Sequence, residues 1–335
     1  QAKRPHGPDA LVAVGNGEAM SGHHVTILLA SYRGAAHIGQ QLDSIAAQDH
    51  RDWSLIVSDD GSDDQTRDIV AGFAQGFAPG RVHLTEGPRQ GATRNFLSLI
   101  AQAPAGSAMA FCDQDDVWFP DKLSRAMAAV TAVDGPAHYA ARTTITDAQL
   151  RPLRGSRHFN RPLGLRNALV QACMAGNTSV FNAQAAAILR RAAPHAMEAG
   201  VVAHDWWAYQ VMAAMDAQLI HDPRPALLYR QHGRSEVGRN DTLPALVLRL
   251  RKLMQGEFGG WMRANLASLE PLFPEMSARN RQICQDARRM LDLPGPLAAG
   301  RLMATGFYRQ TRTGTLALIL SAAAGRLAAG RPPEG

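Results

Sequence analysis

Cysteine is nearly missing from the 335 residues: Cys112, Cys173 and Cys284 are the only three, and they lie far apart. That spacing argues against a disulfide framework or a CxxC metal site, and it suits a reducing, cytoplasmic setting. Long apolar runs are missing too. No stretch approaches the ~18 apolar residues needed to cross a bilayer, and the longest uncharged candidate near the end, 313–325, is too short. Lys3 and Arg4 have no apolar segment behind them, so a secretory signal is not expected. Residues 1–22, rich in Gly, Pro and Ala, read as a disordered lead-in to a domain over 23–240. No G-x-G-x-x-G follows a strand pattern, which disfavours a nicotinamide dehydrogenase. No G-x-S-x-G elbow is present either. A charge excess is absent from most of the chain. Residues 1–240 hold 22 basic and 22 acidic side chains, and the whole net charge of +6 falls in 241–335. A uniformly basic nucleic-acid binder would not divide this way.

What is present is an alternation of strands and helices. The apolar runs Val25-Thr-Ile-Leu-Leu-Ala30, Trp53-Ser-Leu-Ile-Val-Ser58, Arg81-Val-His-Leu-Thr85 and Ala108-Met-Ala-Phe-Cys112 read as buried strands. Helical spacing follows each: Ile38, Leu42 and Ile45; Ile69 and Val70; Phe96, Leu97 and Ile100; then a helix opened by Pro120. Four such repeats predict an α/β fold, a mostly parallel sheet covered by helices. Further on, strands are expected at 137–146, 178–181 and 226–230, and helices at 183–193 and 206–215. Residues 241–335 read as a basic helical region with breaks near 271–274 and 294–300.

Ligands in such sheets bind at the carboxyl ends of the strands, and two of those ends are acidic. Asp113-Gln-Asp-Asp116 puts three carboxylates in four residues. Their mutual repulsion is relieved by a hard divalent cation, Mg²⁺ or Mn²⁺, bridging to a diphosphate; the plainer alternative is a solvated turn. Asp59-Asp60 could cap the next helix, or accept a hydrogen bond from a pyrimidine ring N–H.

These motifs resemble family 2 glycosyltransferases of the GT-A fold, in the rhamnosyltransferase-like branch. The resemblance rests on Val25–Arg33, Gln41-Leu-Asp-Ser-Ile45, Gln48, Ser58-Asp-Asp-Gly-Ser-Asp63, Gly91 with Asn95-Phe96, and Asp113-Gln-Asp-Asp-Val-Trp118. Gly176-Asn-Thr178, His204-Asp-Trp-Trp207 and Tyr229-Arg-Gln-His-Gly233 continue it in order. It implies that Ser31, Tyr32 and Asp60 lie at the nucleotide pocket, with Asp59 at the base and Arg94 near the sugar or phosphate. It implies that Asp113 and Gln114 meet ribose and diphosphate, that Asp115 and His232 bind metal, and that Asp205 is the catalytic base. Asp116, Trp118, Asn177, His204 and Trp206 would border the acceptor. The implied reaction is inverting, metal-dependent transfer from a UDP- or dTDP-sugar to a hydroxyl of a glycan or lipid-linked acceptor, in cell-surface polysaccharide synthesis.

The chemistry supports that reading independently. A metal ion stabilises a departing diphosphate without proton transfer, and a positioned carboxylate accepts the acceptor proton. Attack opposite the leaving group inverts the centre, as in inverting glycoside hydrolases. At His204-Asp205 the plainer reading is a helix cap ahead of two tryptophans. The sequence departs from the family at His138-Tyr-Ala-Ala-Arg142, where relatives often carry Tyr-Ser-Asp, and the last 95 residues match no family motif.

A sugar nucleotidyltransferase is the first alternative, but it should carry a Gly-rich, Lys/Arg-bearing loop after the first strand. Here that loop is Ser31-Tyr-Arg-Gly-Ala-Ala36, with one glycine. A nucleic-acid-binding protein using the basic tail is the second. In the tail, Arg249, Arg251 and Lys252 within 243–254, and Arg309, Arg312 and Arg326 around 316–320, alternate with apolar residues. Such segments lie on anionic membranes, which predicts a peripheral protein on the inner face of the cytoplasmic membrane. The alternative is a homodimer interface.

Overall fold

The computed structural model describes residues 23–231 and 257–328. The expected lead-in, His232 and the basic stretch 243–254 lie outside these residues. In chain order the elements are β1 Val25–Ser31, α1 Ile38–Ala46, β2 Trp53–Asp59, α2 Thr66–Ala74, β3 Val82–Glu86, α3 Ala92–Gln102 and β4 Ala108–Asp113. Then come β5 Val117–Trp118, α4 Lys122–Thr131, β6 Ala137–Thr146, β7 Pro152–Gly155 and the short helix α5 Leu165–Ala168. A 3₁₀ turn, Gly176–Thr178, precedes β8 Val180–Phe181, α6 Ala183–Ala199, α7 His204–Ala214 and β9 Gln218–Arg230. The C-terminal helices are α8 Glu257–Leu269, a 3₁₀ stretch Glu270–Glu275, α9 Ala278–Asp292, α10 Gly295–Thr305 and α11 Arg312–Ala323.

The strands form one nine-stranded sheet of order β3-β2-β1-β4-β8-β6-β9-β5, with β7 on β6. The four strands read from the apolar runs pair in parallel. Beyond β4 the direction changes: β8 is antiparallel to β4 and to β6, whereas β9 runs parallel to β6. Both sheet faces are covered, and for that reason β1 is apolar at successive positions. Its Ile27 and Leu29 enter the core under α1, α2 and α4, while Leu28 faces the opposite core with α3, α6 and α7. All three are fully buried, each contributing roughly 1.5–3 kcal/mol relative to exposure. The second core also takes in Phe258, Met262, Leu266, Leu302 and Leu318 of the C-terminal helices.

Several boundaries differ from expectation. Pro120 does not open α4. The chain first makes the two-residue bridge β5 to Leu227 and Leu228, and the helix starts at Lys122 after Asp121. Helix α6 runs through Pro194 to Gly200, whose φ of +68° stops it in the left-handed region. Strand β9 begins eight residues before the expected stretch, at Gln218, with a register shift around Pro223 and Pro225. Of the expected tail breaks, the first is the 3₁₀ stretch; the second is confined to Leu293–Pro294, and residues 295–300 are helical. Among the described residues no helix is long and apolar enough to cross a membrane.

Candidate active site

Strand register builds the site. Ser31 of β1 lies beside Asp59 of β2, and Ala30 beside Asp113 of β4, so the carboxyl ends of three neighbouring parallel strands deliver Ser31, Asp59 and Asp113 in a row. Asp59 is buried. Its Oδ1 accepts the amides of Gly61 (3.3 Å) and Ser62 (2.8 Å), and its Oδ2 the hydroxyls of Ser31 (3.0 Å) and Ser62 (2.6 Å). The Arg67 guanidinium stands 3.7 Å away. The α2 helix is served by Asp64 instead, which accepts the Thr66 amide at 3.1 Å. Asp60 turns the other way. Its two oxygens accept the amides of Arg89 (2.6 Å) and Gly91 (2.7 Å), clamping the loop before α3. Gly87 is required there, because a Cβ would meet Asp60 Oδ1 at 2.8 Å and Asn95 Oδ1 at 2.9 Å.

Gln114 joins the first strand exit to the acidic loop. Its Oε1 accepts the Tyr32 amide (2.9 Å) and its Nε2 donates to the Tyr32 carbonyl (3.0 Å), leaving the Tyr32 ring half exposed. Asp113 and Asp115 are partly exposed, whereas Asp116 is fully buried. Burial, followed by the charges of Asp113 and Asp115, pushes the Asp116 carboxyl well above the usual carboxylate range. Its Oδ2 accepts from Asn177 Nδ2 at 2.7 Å, and its Oδ1 has no partner.

Lys122, which the sequence did not single out, supplies the opposing charge. Its ammonium is fully buried 3.1 Å above the Trp118 ring and donates to the Asn177 carbonyl at 2.8 Å. Burial pulls it down to about 7. Asn177 is thus held from both ends, by α4 and by the acidic loop.

The neighbouring residue, Gly176, donates its amide to Asp205 Oδ2 at 3.2 Å, while Asp205 Oδ1 accepts the Trp206 amide at 2.7 Å. One 3₁₀ turn therefore links the acidic loop to Asp205. His204 stacks on Phe96 with centroids 3.8 Å apart, and its Nε2 has no hydrogen-bond partner. Burial lowers it to about 4, which keeps the ring neutral. Arg94 sits half-buried on the first turn of α3, where Thr93 Oγ1 binds the Val202 carbonyl at 2.9 Å, close before Asp205 in the chain.

Two tryptophans expected at the acceptor are instead packing residues. Trp118 is buried beneath Lys122, its amide bound to Ser44 Oγ. Trp206 donates from Nε1 to the Ala168 carbonyl at 2.6 Å and stacks on Phe258. His138, at the departure from the family pattern, is buried, bonded to Ser179 Oγ at 2.9 Å and stacked on Phe181. Arg230 of β9, quoted within the Tyr229–Gly233 motif but given no role there, is buried and donates to the carbonyls of Asp115 (3.0 Å) and Ala148 (2.7 Å). The motif alone carries no signal that its arginine braces the acidic loop. A lysine on the first turn of a helix normally reads as solvated and gives no signal either.

The pattern of glycosyl transferase family 2 matches residues 26–194, half of the chain, and covers the carboxyl ends of β1, β2 and β4. The chain belongs to glycosyl transferase family 2. This glycosyltransferase has the GT-A fold. It is 25% identical over 269 residues to the dTDP-rhamnosyl transferase RfbG of Shigella flexneri, covering 76% of this chain and 88% of that protein. It is 29% identical over 104 residues to the UDP-Glc:alpha-D-GlcNAc-diphosphoundecaprenol beta-1,3-glucosyltransferase WfgD of Escherichia coli, covering 31% and 40% of the two chains. A solved structure of the mannosyltransferase PcManGT from Pyrobaculum calidifontis, in complex with GDP-Man and Mn²⁺, shares the fold at a TM-score of 0.50. It is 18% identical and covers 91% of this chain and 87% of that one.

For the metal that such a fold implies, the donor chemistry fits. Asp113 and Asp115 offer hard carboxylate oxygens at a strand end, and Mg²⁺ or Mn²⁺ is commonly held by one or two carboxylates, its shell completed by phosphate and water. Among the described residues, no three His, Cys, Asp or Glu side chains form a self-sufficient metal cluster.

Proposed function

We propose that this glycosyltransferase moves a sugar, with inversion, from a UDP- or dTDP-linked donor to a hydroxyl of a glycan or lipid-linked acceptor in cell-surface polysaccharide synthesis. The carrying observation is the 3₁₀ turn Gly176–Thr178. It ties Asp205 through the Gly176 amide, and the acidic loop through Asn177 and Asp116, so a base and a diphosphate site share one rigid support. In this reading Ser31, Tyr32, Asp59 and Gln114 line the nucleoside end, and Asp60 acts indirectly by fixing the 89–91 loop. Arg94 meets the sugar or phosphate. Asp205 accepts the proton of the attacking hydroxyl, a contribution of about 10²–10⁴-fold. His204, held neutral, and Asn177 shape the acceptor side.

Asp113 and Asp115, with His232 as a further ligand, would hold Mg²⁺ or Mn²⁺, which supplies charge neutralisation to the departing diphosphate. The likeness to a dTDP-rhamnosyl transferase favours a dTDP-deoxysugar as donor, and the likeness to an enzyme named for a diphosphoundecaprenol substrate favours a lipid-linked acceptor. An acceptor of that kind places the enzyme on the inner face of the cytoplasmic membrane.

Thermal shift with UDP, dTDP and GDP, each with and without Mn²⁺ or Mg²⁺, tests the donor assignment, because a ligand that binds only the native state raises the melting temperature. A metal-dependent shift with UDP or dTDP is expected; no shift with any nucleotide would refute it. Asp205→Asn should abolish transfer while leaving nucleotide binding intact, and a fully active variant would remove Asp205 from the base role.

A further inference from the structure

Seven large apolar side chains are exposed among the described residues, and four of them lie on two adjacent C-terminal helices: Leu297 and Met303 on α10, Leu316 and Leu320 on α11. Each is more than half exposed. They are not scattered. On α10 the exposed positions Pro296, Leu297, Gly300, Met303 and Ala304 recur at helical spacing, while Ala298, Ala299 and Leu302 face the core. On α11, Arg312, Leu316, Leu320 and Ala323 form an exposed stripe opposite buried Leu318 and Ala322. Exposed residues four apart on a helix share one face.

The two stripes are neighbours. Gly295 begins α10 so close to the end of α11 that a Cβ would strike the Ala323 carbonyl and, at 2.8 Å, the Gly325 amide nitrogen. The helices are joined by the short 306–311 connection, so they pack antiparallel. Leu297 then shares an end of the pair with Leu320, and Met303 the other end with Leu316. The result is a continuous apolar strip on a helical hairpin. Monomeric proteins rarely leave such a patch uncovered without a partner.

The charge around the strip identifies the partner. Residues 293–328 contain four arginines, Arg301, Arg309, Arg312 and Arg326, and no Asp, Glu or Lys. Arg301 is turned inward to Asp286, but Arg312 opens the apolar stripe of α11 and Arg326 follows its end, both exposed. A helix that exposes leucines with arginines and no acids matches an anionic lipid surface, where apolar insertion and cationic attraction add.

We propose that the α10–α11 hairpin seats the enzyme on an anionic bilayer, with Leu297, Met303, Leu316 and Leu320 entering the headgroup–acyl boundary and Arg312 and Arg326 meeting lipid phosphate. Its use, bringing the site to a lipid-linked acceptor, rests on the proposed function; the binding itself does not. The surface lies on helices outside the sheet that carries the nucleotide residues, so the two can be disabled separately.

The test is co-sedimentation of the full chain with vesicles of phosphatidylcholine alone and with added phosphatidylglycerol. Leu316→Glu/Leu320→Glu and Arg312→Glu/Arg326→Glu variants run alongside, with hydrolysis of the nucleotide-sugar donor measured in solution. The wild type should sediment with the anionic vesicles. The leucine pair should lower the partition constant on the order of a hundredfold, since two side chains' worth of apolar burial is lost. The arginine pair should remove the preference for phosphatidylglycerol. Donor hydrolysis should be unchanged in both variants, which shows that they fold. Failure of all proteins to sediment, or equal sedimentation of all, would overturn the proposal. So would concentration-dependent dimerisation in light scattering that the leucine pair abolishes without any vesicle binding, since the strip would then join two copies. Vesicle binding without donor turnover would leave the surface standing and sink the enzymatic reading.

Discussion

Replacing Gly176 by alanine isolates the link between the turn and Asp205. Gly176 lies outside the left-handed region, so the substitution brings no backbone penalty of that kind; the problem is space. The added Cβ would sit 3.0 Å from Asp205 Cβ and 3.0 Å from His204 Nε2. Carbon contacts are comfortable at about 3.5–4.0 Å, so roughly half an ångström must be found. His204 cannot yield it readily, because its ring already stacks on Phe96 at 3.8 Å. The displacement therefore falls on Asp205 and on its 3.2 Å hydrogen bond from the Gly176 amide. Overpacking of this kind costs about 1–3 kcal/mol. A 1 Å misplacement of a reacting group costs on the order of 10²-fold in rate, so half that displacement should lower kcat about tenfold. The donor's KM should barely change, since no nucleotide contact is touched. Urea denaturation and initial rates at saturating donor read both quantities. Gly300→Ala is the control: nothing lies within 4 Å of its added carbon, and alanine inside a helix should stabilise by about 0.5–1 kcal/mol. A Gly176→Ala enzyme with the expected stability loss but wild-type kcat would refute the idea that this turn positions the base.

Other outcomes follow from the same geometry. Lys122→Met strands the Asn177 carbonyl and removes the cation above Trp118; a loss of about 3 kcal/mol in urea denaturation is expected. Gly259→Ala drives a Cβ into the backbone carbonyl of Leu327, which should cost about 3 kcal/mol and loosen the final turn from α8, seen as faster proteolysis at the C-terminus. His138 and His204 are held by burial at about 3 and about 4. The unfolded chain takes up these protons near 6.5 and the native state does not, so stability falls as pH drops from about 6.5 toward 4. The slope is about 1.4 kcal/mol per unit per histidine, and His138→Gln should flatten it. EDTA should abolish the thermal shift produced by UDP or dTDP with metal, and added Mn²⁺ should restore it.

The nucleotide half of the molecule was readable because its signals are local. An apolar run buried on both faces and ending in acids is the same object in sequence and in space, and Asp59 and Asp113 sit at strand ends for that reason. The supports of the site were not readable, because they depend on pairings distant in sequence. Lys122 gains meaning only against Asn177, and Arg230 only against Asp115. Asp60 is expected at the nucleotide pocket, yet its carboxylate accepts the Arg89 and Gly91 amides and clamps that loop. Trp206 is expected to border the acceptor, and only the fold reveals that it stacks on Phe258, 52 positions on. Strand β9 was underestimated because His221, Asp222, Pro223 and Pro225 break the alternation that marks strands, and Tyr139 and Arg125 engage Asp222 where sequence gives no hint.

The parallel pairing of β6 with β9 sets where this enzyme can be cut. The family pattern ends at residue 194, inside α6, and α7 with Asp205, strand β9 and Arg230 all follow it. A fragment trimmed to the family boundary would keep the acidic loop but lose the proposed base. It would also leave β6 without the strand that pairs with it from Ala137 to Thr146, an open edge of the kind that recruits other chains. The smallest piece that retains every residue of the proposed site must run at least through His232.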